Sequence, residues 1–178
     1  DGIRVLRTSD GGAIRVLAGG ENARSVVFSP DGQTVLGDNM SAVDRRWIRR
    51  FRVDDGREEL GVGDRGTREY GFAVAPDGSS VAMRASLLSP GTGLLLWPAG
   101  AEARRWFGVL PLAPSPDTRV TASVAFSPDG AWVAVSDLDY NHTSALHVFD
   151  VEDGRQLAML QASDFSNPRR LVAGTIAF

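Results

Sequence analysis

Five arginines, Arg45, Arg46, Arg49, Arg50 and Arg52, crowd around Trp47 and Phe51. On an open face that pattern would pair guanidinium groups with phosphates and stack tryptophan on a base. Asp54, Asp55, Glu58 and Glu59 follow within one hairpin, however, where opposite charges on neighbouring strands neutralise one another. A formal net charge of −3 gives the chain no general attraction for nucleic acid, so the arginines are expected to pair with those acids or point to solvent. Asp137, Asp139, Tyr140, Asn141 and His142 set oxygen groups at alternating positions, as a calcium loop does, but no bidentate glutamate follows at loop spacing. The segment reads as a turn or a partner-binding loop. Gly61-Val62-Gly63-Asp64-Arg65-Gly66 fits G-x-G-x-x-G, which cradles a dinucleotide only where it opens a helix; here a strand pattern, Tyr70 to Ala75, follows at once.

Catalytic chemistry is thin. Cysteine is absent, which removes thiolate nucleophiles, disulfides and thiolate metal sites. All 19 basic residues are arginine, so neither a Schiff-base lysine nor a phosphate-loop lysine exists. The two histidines, His142 and His147, stand five residues apart, and His147 falls in a strand. No serine sits in a G-x-S-x-G elbow. The segment is expected to be non-catalytic, with no cofactor and no resident metal. No apolar run approaches the roughly 20 residues of a membrane span; the chain is expected to be soluble and, lacking cysteine, cytoplasmic.

The elements that must position these residues are strands. Twenty glycines and nine prolines among 178 residues break the chain into short apolar runs such as "SVVFSP", "FAVAP", "SVAFSP" and "LHVFDV", with no sustained helical spacing. The runs repeat. "FSPDG" occurs twice, at Pro30 and Pro128, with "VAPDG" at Pro76 between them. Phe51, Trp97 and Phe149 each lie 21 residues beyond their proline, whereas the prolines themselves are 46 and 52 apart. A fixed internal offset beside a variable period means one rigid unit, joined by connections of varying length. Proline sets φ for the turn and glycine closes it; a third strand follows (Ile48 to Val53, Leu94 to Trp97, Leu146 to Val151), and a second glycine turn leads to a fourth. Four antiparallel strands in 46 to 52 residues form the signature of a β-propeller blade, whose faces are buried only by neighbouring blades.

The stretch "VAFSPDGAWVAVSD…LHVFDVEDGRQLAML" resembles a bacterial-type WD repeat, with Phe149-Asp150 at the position of the Trp-Asp dipeptide and Trp97-Pro98 and Phe51-Arg52 at the same place in the other units. The Gly-His pair of that family is missing from every unit, so its buried His–Asp network is not expected here; only Asp150 keeps the carboxylate. The resemblance implies an all-β β-propeller: the end of one blade at 1–18, blades at 23–62, 69–109 and 120–161, and the first strand of a further blade at 171–178. Leu6 lies 45 residues before Phe51, which makes "IRVLRT" a third strand. The expectation is an excerpt of a longer propeller, closed by more chain or by another copy, with exposed apolar faces prone to aggregation when alone.

The resemblance implies an interaction module that offers loops to protein partners or to other domains of its own chain. In the family the second-to-third connections, at 40–45, 86–93 and 138–144, share a face with the fourth-to-first connections, at 63–69, 110–119 and 162–170. Recognition tends to reside in loops that vary on a constant scaffold. Trp47, Arg119, Tyr140 and His142 are the expected anchors, since Trp, Tyr and Arg dominate interface energetics. The alternative is a regulatory or gating propeller of a larger enzyme, such as a serine peptidase, kinase or NTPase; arginine without lysine hints at a GC-rich bacterial genome, where such fusions are common. A ligand site in a central channel ranks last, because the innermost strands read "VVF", "FAVA" and "VAF".

Overall fold

A computed structural model of the chain describes residues 2–20, 23, 25–38, 48–62, 67–87, 91–98, 105–110, 123–138, 144–161 and 178. Fourteen strands and no helix occur among them. They divide between two compact units, residues 1–66 and 67–178.

The first unit opens with a two-stranded half-sheet, β1 (Ile3–Leu6) and β2 (Ala13–Leu17), followed by a four-stranded antiparallel sheet, β3 (Val26–Phe28), β4 (Thr34–Asp38), β5 (Ile48–Arg52) and β6 (Glu58–Val62). The second unit holds two more such sheets. One is β7 (Thr67–Val74), β8 (Ser80–Leu87), β9 (Gly91–Pro98) and β10 (Arg105–Leu110); the other is β11 (Val124–Phe126), β12 (Trp132–Leu138), β13 (Ser144–Asp150) and β14 (Gln156–Gln161). Within every sheet the spatial order is the sequence order, so each strand pairs with its chain neighbour.

The equal spacing from proline to aromatic appears as equal register. Phe51, Trp97 and Phe149 sit in the third strands β5, β9 and β13, directly opposite Val35, Val81 and Val133. The turns explain why the spacing holds. In each first hairpin the glycine N–H donates to the carbonyl of the residue before proline: Gly32 to Ser29 at 2.9 Å, Gly78 to Ala75 at 2.8 Å, Gly130 to Ser127 at 2.9 Å. All three glycines have φ near +70°, a conformation that costs any residue with a Cβ. The second hairpins repeat as faithfully: Gly11, Gly56 and Gly154, each five residues past Leu6, Phe51 and Phe149, donate to the carbonyls of Arg7, Arg52 and Asp150. Leu6 is therefore a third-strand residue, and β1–β2 is the outer half of a sheet of the same design.

Sheets meet through apolar faces. In the first unit Val5 and Leu17 of the half-sheet pack with Val35 and Phe51, flanked by Ile3 and Val53. In the second, Ala82, Leu94 and Leu96 of one sheet pack with Val124, Val133, Val135 and Phe149 of the other. Phe51 and Phe149 are 0% and 2% exposed. Burying a side chain of that size stabilises by about 1.5–3 kcal/mol. The aromatic thus plugs the preceding sheet, and neither core could form from one sheet alone.

Candidate interaction surface

In two of the four-stranded sheets the end from which second strands leave and first strands enter is pinned by the same polar contact. Asp38, at the end of β4, accepts the Ser25 N–H at 2.7 Å, and Ser136 in β12 accepts the Ser123 N–H through its hydroxyl at 2.9 Å. In both, the backbone N–H of the same residue donates to the serine carbonyl, at 3.1 and 2.9 Å. The chain entering the first strand is thereby tied to the second strand before any loop begins. The sequence carries a signal for this that reasoning from turns alone misses: a polar residue eight positions after the turn proline, paired with a serine five before it.

At this end Arg49 donates from a terminal guanidinium nitrogen to the carbonyl of Gly19 at 2.8 Å and lies 3.6 Å from Glu58, so it stitches β5 to the turn that follows the half-sheet. Arg50 pairs with Glu59 at 3.0 Å, and Arg52 with Asp54 and Asp55. These contacts tie each described arginine of the basic-aromatic stretch to a neighbouring acid. Trp47, Arg119, Tyr140 and His142, together with 40–45, 111–119 and 162–170, lie outside the described residues, as does the first strand expected at 171–178 except for Phe178. Three expected connections are shorter than the apolar runs suggest, the one at 138–144 by a residue at each end because β12 runs to Leu138 and β13 begins at Ser144. β8 runs to Leu87 and β9 begins at Gly91, because Ser86 and Leu87 keep pairing with Thr92 and Gly91 beyond the apolar segment. β7 already starts at Thr67, paired with Leu87.

The opposite end is built from the tight turns and their carboxylates. The Ser29 hydroxyl donates to Asp31 at 2.5 Å and the Gln33 N–H at 2.9 Å, and together they hold the Asp31 carboxyl below the usual carboxylate range. Ser127 and the Ala131 N–H do the same for Asp129, and the Ser79 hydroxyl and N–H for Asp77. Arg15 of β2 spans the gap between half-sheet and full sheet: its guanidinium donates to the carbonyls of Val53, Asp54 and Asp55 at 3.2, 2.5 and 3.2 Å. A groove of about 550 Å³ on the same sheet is lined by Asp31, Thr34, Arg50, Arg52, Asp54 and Glu59. Its charged groups are largely spent on one another, Arg50 on Glu59 and Arg52 on Asp54.

His147 is 1% exposed and stacks on Phe149, ring centres 6.3 Å apart, inside the inter-sheet core. Among the described residues no group of three or more His, Asp or Glu is placed to hold a metal ion. Gly61 and Val62 end a strand and Thr67 begins the next, so strands flank the G-x-G-x-x-G segment on both sides.

No protein-family model and no curated protein matches the chain. Solved structures do. The β-propeller domain of Cps50 (Swd1) from Myceliophteria thermophila superposes with a TM-score of 0.62 at 17% identity over 89% of this chain and 50% of that one. TolB from Acinetobacter baumannii gives 0.62 at 15% identity over 86% and 36%, and a putative TolB from Agrobacterium tumefaciens 0.51 at 15% over 78% and 44%. The chain spans half or less of the length of these proteins. The likeness is one of fold: the chain is an all-β β-propeller of four-stranded antiparallel blades, three of them whole.

Proposed function

We propose that this chain is a non-catalytic interaction scaffold, a diverged WD-type propeller segment that presents the loops at its second-to-third and fourth-to-first connections to protein partners or to other domains of a longer polypeptide. The observation that carries this reading is the difference between the two ends of the sheets. One end is closed by tight turns whose hydrogen bonds repeat among the described hairpins; the other is pinned at Asp38–Ser25 and Ser136–Ser123 and then continues into connections of unequal length. A constant frame that varies at one end suits recognition. Cytoplasmic residence fits the absence of cysteine.

Replacing 40–45, 88–90 and 139–143 with glycine-serine segments of equal length tests the reading. Capture of protein partners from a native extract should be lost while the melting temperature stays within a few degrees. Unchanged capture after all three replacements would count against it.

A further inference from the structure

Beyond Asp1-Gly2, six Asp-Gly pairs stand in this chain, at 10–11, 31–32, 55–56, 77–78, 129–130 and 153–154, and all six fall on hairpin turns. Such a pair is open to rearrangement, because glycine has no side chain to keep its amide nitrogen from the aspartate carboxyl. The nitrogen bonds to Cγ, the carboxyl hydroxyl and the amide hydrogen depart together as water, and a cyclic succinimide remains. Water reopens that ring at either carbonyl. One opening restores aspartate; the other leaves isoaspartate, in which the main chain runs through Cγ and is longer by a carbon. All six pairs are clasped against this in the same two ways. The glycine N–H donates to a carbonyl, and the carboxylate Oδ1 accepts the N–H of the residue after glycine. The attacking nitrogen and the attacked carboxyl are both engaged.

The clasps differ in a further contact. Asp31 and Asp129 accept the hydroxyls of Ser29 and Ser127 at 2.5 and 2.6 Å, Asp77 accepts that of Ser79, and Asp10 accepts Arg7 Nε–H at 3.2 Å. These donors, with the Gly12 N–H foremost at Asp10, hold the four carboxyls below the usual range and so deplete the neutral acid from which water can leave. Asp55 lies between Arg52 and Arg57, at 3.7 and 3.6 Å, and its side chain is 34% exposed. Asp153 has one ion pair among the described residues, with Arg155 at 3.7 Å, and its side chain is 57% exposed. We propose that Asp153-Gly154, in the turn between β13 and β14, is the one of these six pairs that rearranges to isoaspartate from the folded state. Beyond the glycine bond common to all six, only the Arg155 N–H, at 2.8 Å, has to let go before the Asp153 carboxyl can rotate. The added carbon lies inside the ring that the Asp150 N–H closes on the Arg155 carbonyl at 2.9 Å, so the change loosens the hairpin that carries β14. The site lies among the tight turns and does not depend on the docking reading.

Incubating the folded chain in heavy-oxygen water tests this, because each passage through succinimide leaves a label at that residue whichever way the ring reopens. Peptide mapping should find Asp153 labelled about fivefold faster than Asp31, Asp77 or Asp129, the effect of one hydrogen bond on local opening. In urea the six pairs should label at similar rates. A reciprocal exchange separates the clasp from exposure alone, since Ser79 and Arg155 both stand two residues past their aspartate. Arg155→Ser should slow Asp153 to the rate of Asp77, and Ser79→Arg should quicken Asp77. Three results would each overturn the proposal: another of the six pairs labelled first in the folded chain, Asp153 unlabelled until the chain is unfolded, or both rates unmoved by the exchange.

Discussion

The two units place the same residue in opposite surroundings. Val26 and Phe28, four and two residues ahead of Pro30, are 47% and 53% exposed on β3. Val124 and Phe126 hold the same places ahead of Pro128, yet Val124 is 8% exposed and Phe126 packs on the inter-sheet core. The strands are the same length and nearly the same sequence. What differs is the cover. β11 packs against β7 and β8, the inner strands of a full sheet, whereas the half-sheet packs on β4 and β5 through Val35 and Phe51 and not on β3. Burial in this fold is thus a property of the neighbouring sheet and not of the strand that is buried.

The comparison can be broken by truncating both sides. Phe149→Ala empties a site covered by a full sheet and should cost about 3–5 kcal/mol in a denaturant titration of the second unit, while Phe28→Ala should cost less than about 0.5 kcal/mol. A large loss from Phe28→Ala would mean that β3 is covered. Arg15→Ala removes three bonds to carbonyls between half-sheet and full sheet; a loss of about 1–3 kcal/mol should show as faster amide exchange in β1 and β2, with none in β11–β14. Gly130→Ala keeps ordinary clearance, with Pro76 Cδ 3.6 Å from the added Cβ, but must hold φ at +74°, a strain of about 1 kcal/mol readable as a melting shift of a few degrees. The smallest effect is on pH. Asp31 and Asp129 have folded pKa values below the ordinary 3.8, so their contribution is present above that value and fades as pH falls through the folded one. The paired Asp31→Asn and Asp129→Asn chain should lose less stability between neutral pH and strong acid than the parent; equal loss would show that the turn carboxylates contribute nothing.

The strand plan was legible because its markers are local. Pro30, Pro76 and Pro128 with their glycines fix turns through φ alone, and the offset to Phe51, Trp97 and Phe149 follows from strand pairing. The pairing of Arg49, Arg50 and Arg52 with acids was readable for the same reason, since opposed strands of a hairpin are close in sequence. Arg15 was not, because its partners lie about forty residues on and are carbonyls, which every residue possesses. Nor was the exposure of Phe28: periodicity reports that a residue is apolar, while cover depends on strands in another sheet. The anchors expected on the loops fall outside the described residues.

The serine–aspartate turns have a practical corollary. Ser29 and Ser127 each close a ring with an aspartate two residues on while also taking the N–H of the residue five on, so one inserted amino acid would unmake several bonds together. A foreign peptide grafted between second and third strands, far in sequence from those serines, should leave the hairpins intact. Whoever wishes to decorate this protein should cut where the sheets hand the chain onward, and leave the proline corners alone.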